Sequence, residues 1–425
     1  MKIAIIGAGF TGLAAGHTLL KMGHDVTLIE KDPQPGGLAI GYKEKSWRWS
    51  LEKHYHHWFT NDEHVLSLAK EINFPVLIKR PKTSVFIDGK TYQLDSPMAI
   101  LLFPKLPLID KIRMSAVLAF LKLNPFWRPL EKINAISFLE KTMGKRAFSM
   151  LWEPQLRNKM GKYASEISLV WFWTRIYKRT PSLAYPEGGF LNFAQSLVKD
   201  IEEKGGKIHF NAETVAIKDV KQAEVTYKIG TKSKVEKFDR VIVTLPSFLF
   251  LKIAQDLPQE YIQKLVRLRG LGATNMVLRL KEQLIKDGSY WVSICEKNAP
   301  VMVVVEHTNL MDTKNFSNEH IVYVGNYPDP NSDLFSMDKN ALLKKYDPLL
   351  KRINPGYKKS IIDFEVFRAP FAQPIVPTNY SKLIPPFKTP LKHVFLANIE
   401  QVYPWDRGTN YAVELGKKIA AIATA

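Results

Sequence analysis

A glycine-rich turn near the N-terminus restricts what the first part of the chain can form. Residues 7–12 read G-A-G-F-T-G, between a β-branched run at Ile3–Ile6 and a segment with helical spacing at Leu13–Met22. Asp25–Ile29 is a second predicted strand, and Glu30 follows it. This order of strand, glycine turn, helix, strand and acid is typical of a dinucleotide-binding unit. The spacing therefore predicts that a diphosphate binds at the N-terminus of the first helix.

The residues of this turn have separate predicted roles. Gly7 permits the tight turn, Gly9 lets the backbone approach the diphosphate, and Gly12 lets helix and strand pack closely. Phe10 and Thr11 open the helix, where free N–H groups and the helix dipole attract an anion. All five are predicted cofactor-binding residues.

The acid and the glycine pair after the second strand extend this prediction. Glu30 is placed to accept hydrogen bonds from ribose hydroxyls, and its charge argues against a 2′-phosphate there. Lys31 follows it directly. Gly36-Gly37 and then Leu38 come next, and this backbone can lie against the same diphosphate from its other side.

The glycine pair after the ribose-binding acid resembles the FAD-binding half of a large flavoprotein family. That family includes monoamine oxidases, protoporphyrinogen oxidases, carotenoid desaturases and UDP-galactopyranose mutases. Tyr185–Lys218, Phe238–Pro246 and His393–Ile422 also resemble family segments. The resemblance implies that FAD is the cofactor and that the backbone near Val215 holds its adenine. Arginines usually flank the glycine pair in the family, but Asp32 and Leu38 stand there in this chain.

The C-terminal segment departs from the family at one place. Relatives commonly end the last strand in Gly-Asp, whereas this chain has Asn398 after Leu396-Ala397. By the resemblance Asn398, Asp406 or Arg407 could bind the ribityl or diphosphate oxygens. Gly408 and Thr409 begin the last helix, whose N–H groups would face the flavin ring.

The fold class that follows is α/β, with a discontinuous Rossmann-like FAD-binding domain of the glutathione-reductase type. Residues 1–82, 185–246 and 390–425 are predicted to form this domain. An α+β substrate domain is predicted from two insertions, a mainly helical one at 83–184 and an antiparallel sheet at 247–389.

The predicted sheet of the substrate domain rests on short alternating runs. An Asp88-Gly89 turn predicts a hairpin at the start of the first insertion. The second insertion has strand-like runs at Asn275–Leu280, Tyr290–Cys295, Val301–Glu306, Ile321–Tyr327 and Ile361–Phe367.

Three histidines lie in the segment Glu52–Asp62, EKHYHHWFTND. We predict no metal site, because alternate residues of a strand point to opposite faces and no nearby acid completes a ligand set. The segment resembles one in the mutases that passes the flavin. This implies that His54, His56 and His57 line the flavin pocket, with His54 as a cofactor ligand and the other two as catalytic candidates. The alternative is a set of histidines that cap a helix beginning near Asn61-Asp62.

Two further catalytic candidates are Arg175 and Tyr403. Trp152–Thr180 resembles a region of the mutases and protoporphyrinogen oxidases, and in the mutases an arginine at the position of Arg175 lies near the substrate diphosphate. A guanidinium there could bind a carboxylate or phosphate through two hydrogen bonds, and a structural ion pair is the equal alternative. Tyr403 lies in the loop before the last helix and could cover the flavin.

Charge and cysteine content limit the partners and the compartment. Lys and Arg outnumber Asp and Glu by 60 to 41, which gives a formal charge of +19 and favours phosphates, acidic substrates or an anionic membrane. No nucleic-acid-binding motif accompanies this charge, so a small-molecule substrate is expected. The single Cys295 excludes an intramolecular disulfide. With no signal-peptide pattern and no long apolar stretch, we expect a cytoplasmic protein.

The most apolar segment, Pro97–Trp127, allows two interpretations. Pro104, Pro107 and several Lys or Arg interrupt it, so it cannot be a spanning helix. We expect a core helix of the substrate domain whose basic residues face water. The alternative is a peripheral membrane contact on the cytoplasmic face, or the wall of a channel for an apolar substrate.

Together these features predict an FAD-dependent oxidoreductase. It would transfer a hydride from an apolar, anionic or lipid-linked organic substrate to flavin N5. One alternative is a non-redox UDP-sugar mutase that uses reduced FAD, favoured by the histidines and Arg175 and disfavoured by the loop at 398–411. The other is a non-catalytic flavin-binding or membrane-associated protein.

Overall fold

The computed structural model describes residues 1–425. Its strands are β1 Lys2–Ile6, β2 Asp25–Ile29, β3 Gly41–Tyr42, β4 Leu51–Glu52, β5 Trp58–Phe59, β6 Val76–Lys79, β7 Lys82–Ile87, β8 Lys90–Gln93, β9 Leu183–Pro186, β10 Lys207–His209, β11 Ala212–Asp219, β12 Ala223–Ile229, β13 Lys232–Phe238, β14 Arg240–Val243, β15 Gly270–Leu280, β16 Ser289–Ile294, β17 Val303–Glu306, β18 His320–Asn326, β19 Ile361–Pro374 and β20 Val394–Leu396. Its α-helices are α1 Phe10–Lys21, α2 Glu63–Glu71, α3 Pro97–Leu102, α4 Leu108–Leu123, α5 Trp127–Leu130, α6 Ala135–Met143, α7 Lys145–Ala147, α8 Glu153–Met160, α9 Leu169–Tyr177, α10 Phe190–Glu203, α11 Ser247–Ile253, α12 Gln259–Val266, α13 Asp333–Ser336, α14 Lys339–Ile353, α15 Tyr357–Ser360 and α16 Thr409–Thr424.

Five strands form a parallel sheet in the order β10-β2-β1-β14-β20. Its central strands are rich in Ile and Val and almost wholly buried, as expected when helices cover both faces of a parallel sheet. The carboxyl ends of these strands meet at one edge, where ligands bind in sheets of this kind. The predicted α/β class is confirmed.

Two helices, α1 and α16, pack closely beside this edge. Gly12 of α1 lies against the carbonyl oxygen of Gly7, and Gly416 of α16 lies against that of Thr11. A Cβ atom at either glycine would overlap the carbonyl oxygen. The N-terminus of α1 is therefore fixed at the end of β1.

A second sheet has seven strands in the order β19-β15-β18-β17-β16-β7-β8. Neighbours are antiparallel except β16 and β7, which are parallel. The five strand-like runs of the second insertion correspond to β15–β19, and Asp88 and Gly89 form the hairpin turn with φ of 51° and 76°. The domain boundaries stay predictions, although both large sheets combine strands from separate parts of the chain as those boundaries require.

The helices between β8 and β9 carry the apolar segment Pro97–Trp127. No side chain of α3 is buried, and α4 buries only Met114 and Leu121. The expectation of a core helix therefore holds for one side of the segment only, where Phe103, Leu106, Met114 and Leu121 are buried, because nine other large apolar side chains face solvent. No helix in the structure combines the length and the apolar character needed to cross a bilayer.

Glu52 of β4 is a fully buried carboxylate that joins three parts of the fold. It accepts hydrogen bonds from the Tyr185 hydroxyl at 2.8 and 2.9 Å and from the Phe190 backbone N–H at 2.8 Å. Burial raises the pKa of Glu52 to about 7, because the loss of hydration outweighs these hydrogen bonds. The folded protein therefore keeps a proton that the unfolded chain releases at lower pH.

We expect Glu52 to make the free energy of unfolding fall as the pH rises from about 4.5 to about 7. The folded state binds this proton more tightly than the unfolded chain, so raising the pH across that window favours unfolding. A Glu52→Gln variant should lose roughly 3 kcal/mol less over the same window. Urea unfolding of both proteins at the two ends of the window measures the difference.

The exposed Glu213→Gln variant is the matched control and should follow the wild type. An identical pH dependence of wild type and Glu52→Gln would contradict the assignment.

Candidate functional site

A cavity of about 870 Å³ lies between the edge of the parallel sheet and the helical region. The turn between β1 and α1 lines one part of it, and α8 and α9 line another. Its volume is at the upper end of the range for small-molecule and cofactor sites. The cavity therefore has room for a large ligand.

The start of α1 is built to receive an anion. Gly7 has a φ of 105°, which turns the chain sharply between β1 and α1. Gly9 precedes the helix and offers no side-chain cap, so the N–H groups of its first turn lack intrahelical partners. Gly7, Gly9, Phe10 and Thr11 all line the cavity.

Glu30 stands at the carboxyl end of β2 and lines the same cavity. Its carboxylate accepts hydrogen bonds from the backbone N–H groups of Ala8 at 2.7 Å and Asp32 at 2.9 Å. Burial raises the pKa of Glu30, and these two hydrogen bonds partly oppose that effect. The carboxylate is thus held in one position, with Lys31 beside it in the cavity wall.

The second glycine pair crosses the first glycine turn. The Gly36 N–H donates to the Ala8 carbonyl at 3.0 Å, and φ is 132° at Gly36 and 57° at Gly37. A Cβ atom on Gly37 would lie only 3.0 Å from the Cα of Gly9. The two backbones touch without side chains between them, and Leu38 continues the wall.

A second helix N-terminus opens on the cavity at α16. Gly408 precedes this helix without a side-chain cap. The Thr409 hydroxyl accepts a hydrogen bond from the Trp58 indole N–H at 2.5 Å. Gly408 and Thr409 line the cavity together with Asp406 and Arg407.

Three predicted cofactor residues are absent from the cavity wall. Gly12 packs inside the β1–α1 turn, in its predicted packing role. Val215 lies at a bulge of β11, away from the cavity. The Asn398 side chain caps the short turn at 399–401, where it accepts from the Glu400 N–H at 3.1 Å. Because its amide is used within the protein, the structure does not place Asn398 as a cofactor contact.

The three histidines lie in an irregular loop between β4 and β5, and all of them line the cavity. The segment is therefore a loop and not a strand, and His56 and His57 contact different neighbours, Phe190 and Tyr290 respectively. The Asn275 amide donates to His54 Nδ1 at 2.7 Å, and His56 Nδ1 donates to the His54 carbonyl at 2.6 Å. His57 Nδ1 lies 3.3 Å from the Tyr290 hydroxyl.

The histidine side chains are electrically neutral at neutral pH. Burial lowers the pKa of His54 and His57 to about 3 and that of His56 to about 4. They form no cluster with acids or Cys295 that could hold a metal ion. The alternative, that a histidine caps α2, is not observed. The residue before that helix is Asp62, and its carboxylate accepts a hydrogen bond from the Phe59 N–H.

Arg175 and Arg407 share one carboxylate, that of Asp406. Arg175 lies 2.6 Å from Asp406 and 3.5 Å from the centre of the Trp171 ring. Arg407 lies 3.8 Å from Asp406 and donates to the Tyr327 hydroxyl at 2.6 Å. The two guanidinium groups hold the pKa of Asp406 below its usual range despite burial. The structure thus gives Arg175 an ion pair in the cavity wall.

Lys159 adds a third cation without a carboxylate of its own. Its ammonium group lies 4.9 Å from the Tyr327 ring centre and 5.4 Å from that of Trp171. Asp406 influences it only over a longer distance, with no ion pair between them. Two guanidinium groups and one ammonium group are therefore balanced by a single acid in this part of the cavity.

Tyr403 does not face the cavity. Its hydroxyl donates to Glu131 at 3.0 Å, and its ring packs against Trp127 and Tyr380. Burial, together with Glu131, raises the pKa of Tyr403, which keeps the hydroxyl protonated. The structure does not support the predicted catalytic role of Tyr403, because the residue belongs to a structural aromatic cluster.

Comparison with known protein families decides what binds here. A family model described as flavin containing amine oxidoreductase matches residues 10–421. The chain belongs to this family. It is therefore an FAD-dependent oxidoreductase.

Individual proteins of known structure or sequence are similar to this chain. An oxidoreductase structure from Methanosarcina mazei matches with a TM-score of 0.77 at 18% identity and covers 100% of both chains. Cyclohexylamine oxidase from Brevibacterium oxydans matches with a TM-score of 0.73 at 16% identity, over 99% of this chain and 98% of its own. A 4,4'-diapophytoene desaturase of Staphylococcus aureus is 57% identical over 51 residues, which is 12% of this chain and 10% of that protein.

The first curated relatives are matched over only 9 to 10% of their own length. The local similarity to UDP-galactopyranose mutases stays a prediction, because the matching family is that of the amine oxidoreductases.

The residues present fit FAD. A dinucleotide needs donors for its diphosphate and an acceptor for its ribose, and the start of α1, the crossing of Gly9 and Gly37, and Glu30 supply these groups. The uncapped N-terminus of α16 adds a second set of donors. These residues would hold the cofactor in this flavin amine oxidoreductase.

Sequence reasoning did not identify several residues of the cavity wall. Lys159 lies on a helix and Tyr327 follows a strand of the seven-stranded sheet, so only tertiary packing brings them together. Asn275 is similar, since its contact with His54 spans most of the chain. The sequence held a weak indication of the site of Lys159. This residue lies two positions before Gly161, within the segment Trp152–Thr180 that also contains Arg175.

We expect a Glu30→Gln variant to bind FAD roughly tenfold more weakly, because a neutral amide loses the charge-assisted hydrogen bonds to ribose hydroxyls. Titration of the apoprotein with FAD, followed by flavin fluorescence, gives the two dissociation constants. Glu213→Gln serves as the exposed control and should bind as the wild type does. Equal affinity of Glu30→Gln and wild type would remove Glu30 from the ribose site.

Proposed function

We propose that this enzyme oxidises an organic substrate that has an apolar body and an anionic group such as a carboxylate. Bound FAD supplies the hydride acceptor, at flavin N5. The chain's own residues bind and orient the substrate. The observation that carries the proposal is the buried amino group of Lys159, which has no carboxylate partner and lies beside the rings of Trp171 and Tyr327 in the cavity wall.

The charges of the cavity wall support an anionic ligand. Basic residues outnumber acidic residues in the cavity wall. The basic ones are Lys31, Lys53, Arg80, Lys159, Arg175, Lys178, Arg179, Arg368 and Arg407. The acidic ones are Glu30, Asp32, Asp62, Asp95 and Asp406. The diphosphate of FAD accounts for an anion at the α1 end. Lys159, Arg175 and Arg407 still exceed Asp406 by two charges when Lys159 is protonated. A buried cation gains most from a partner that arrives with the opposite charge.

The apolar part of the substrate is supported by the remaining lining residues. Side chains with large rings also line the cavity: Trp152, Trp171, Phe172, Trp291, Tyr327 and Phe371. The neutral histidines add no charge to this wall. A small hydrophilic anion would leave these surfaces unused, so a molecule with both characters fits best.

The proposal is tested by anaerobic mixing of the oxidised enzyme with matched pairs of compounds. Each pair shares an apolar amine or alkene body and differs only in a carboxylate. The carboxylated member should bleach the flavin absorbance faster. Equal bleaching by the neutral members would contradict the anionic requirement, and no bleaching by either class would favour the non-catalytic alternative.

We expect a Lys159→Met variant to lose activity with carboxylated substrates selectively. Removing the ammonium group takes away a charge-assisted contact of about 1.5–3 kcal/mol, so kcat/KM should fall roughly ten- to hundredfold. Rates with the neutral partner compounds should change little. Steady-state kinetics with both members of a pair measures the split.

The matched control is Lys162→Met, because Lys162 is exposed and pairs with Asp329 outside the cavity. It should behave as the wild type. A loss of FAD affinity in Lys159→Met, with unchanged selectivity, would assign Lys159 to the cofactor instead.

The affinity for an anionic substrate should fall as the pH rises. Burial, and then the charges of Arg175 and Arg407, hold the pKa of Lys159 well below its ordinary value. The free enzyme therefore loses this charge at a lower pH than an exposed lysine would. An anion binds best to the protonated form, so its dissociation constant should rise through the lowered pKa.

A Lys159→Arg variant keeps its charge over the accessible range and should flatten this pH dependence. Dissociation constants of a carboxylated ligand between roughly pH 6 and 9 provide the measurement. Parallel curves for the two proteins would exclude titration of Lys159 as the cause.

A further inference from the structure

The segment that contains α3 and α4 carries an unusual surface. Nine of the eighteen exposed large apolar side chains of the protein lie between residues 98 and 126. They are Met98, Leu101, Leu102, Leu108, Ile109, Ile112, Phe120, Leu123 and Phe126. Leu102, Leu123 and Phe126 are more than two-thirds exposed, at 72%, 79% and 71%. We call these nine residues the α3–α4 surface.

The apolar side chains of α4 follow one stripe of the helix. Leu108, Ile112, Phe120 and Leu123 recur at helical spacing, and the opposite face holds the buried Met114 and Leu121. The helix therefore packs on the protein with one side and presents a second apolar side outward. Soluble monomers seldom expose such a contiguous apolar patch. A patch of this kind usually marks a contact with another protein or with a membrane.

The charged residues of the segment indicate which of these partners covers the surface. Lys105, Lys111, Arg113, Lys122 and Arg128 accompany the α3–α4 surface, whereas Asp110 is the only acid between residues 97 and 128. A second copy of the chain, placed here by a two-fold axis, would bring these cations against each other. An anionic, apolar layer satisfies both features, because headgroup phosphates attract the cations while acyl chains accept the apolar side chains.

The segment that carries the α3–α4 surface is also connected to the cavity wall. Lys122 donates to the carbonyl oxygens of Tyr177 at 2.9 Å and Arg179 at 2.7 Å, and the Trp173 indole donates to Asn124 at 2.8 Å. Arg179 lines the cavity, and so does Asp95, which lies just before α3. The surface is thus connected to the cavity wall at both of its ends.

We propose that the α3–α4 surface is a monotopic membrane contact that inserts into the interface of an anionic bilayer and brings the adjoining cavity wall close to it. The two short helices lie in the interface and do not span it. This inference concerns binding to lipid and does not depend on the substrate proposed above.

Flotation of the FAD-loaded protein with vesicles tests the inference directly. Wild type should float with vesicles rich in phosphatidylglycerol and much less with vesicles of phosphatidylcholine alone. A triple variant, Leu102→Gln, Ile109→Gln and Leu123→Gln, should bind the anionic vesicles at least roughly tenfold more weakly. The visible flavin spectrum and the melting temperature verify that each variant is folded.

The matched control changes three exposed apolar residues elsewhere, Val220→Gln, Val235→Gln and Val266→Gln, and should float as the wild type does. The inference is overturned if wild type remains with the soluble fraction, or if the α3–α4 variant floats unchanged. It is equally overturned if sedimentation shows a wild-type dimer that only the α3–α4 variant dissociates, since the occupant is then a second copy.

Discussion

Close backbone contact through glycine is the constraint on which the cofactor site depends. Gly12 lies on the Gly7 carbonyl, Gly37 lies on Gly9, and Gly416 lies on the Thr11 carbonyl. A side chain at Gly12 or Gly416 would force α1 away from β1 or α16 away from α1. The N–H groups of two helices can converge on one cavity only because these positions carry no Cβ.

Electrostatic imbalance characterises the opposite part of the cavity. Asp406 is the single acid among Lys159, Arg175 and Arg407, and burial makes this shortage of negative charge costly. The three neutral histidines avoid adding to the cost because their pKa values are lowered by burial. The cavity wall near Asp406 therefore carries the guanidinium groups of Arg175 and Arg407, whereas the histidine loop carries no charge.

Local patterns predicted the parts of this site that are local in sequence. The glycine turn, Glu30 and the start of α16 are each specified by a few consecutive residues, and the structure places them as expected. Lys159 was not identified because its environment includes Tyr327, which lies far away in sequence. Asn398 was predicted as a ligand because it stands where relatives carry the Asp of a Gly-Asp pair, whereas in the structure its amide caps a short turn. The apolar segment around α4 was assigned to the core because hydrophobicity alone does not tell which body covers a side chain.

The order of strands in the two large sheets has a consequence for folding during synthesis. β16 pairs with β7, and β20 completes the parallel sheet. The seven-stranded sheet joins strands from residues 82–93 to strands from 270–374, and the parallel sheet is completed only by residues 394–396. Synthesis proceeds from the N-terminus, so the glycine turn is made long before α16, which completes the flavin site. A nascent or truncated chain that lacks α16 therefore has the glycine turn of the FAD site but not the second helix N-terminus. Stable binding of FAD therefore requires that α16 has been synthesised and that the chain has folded.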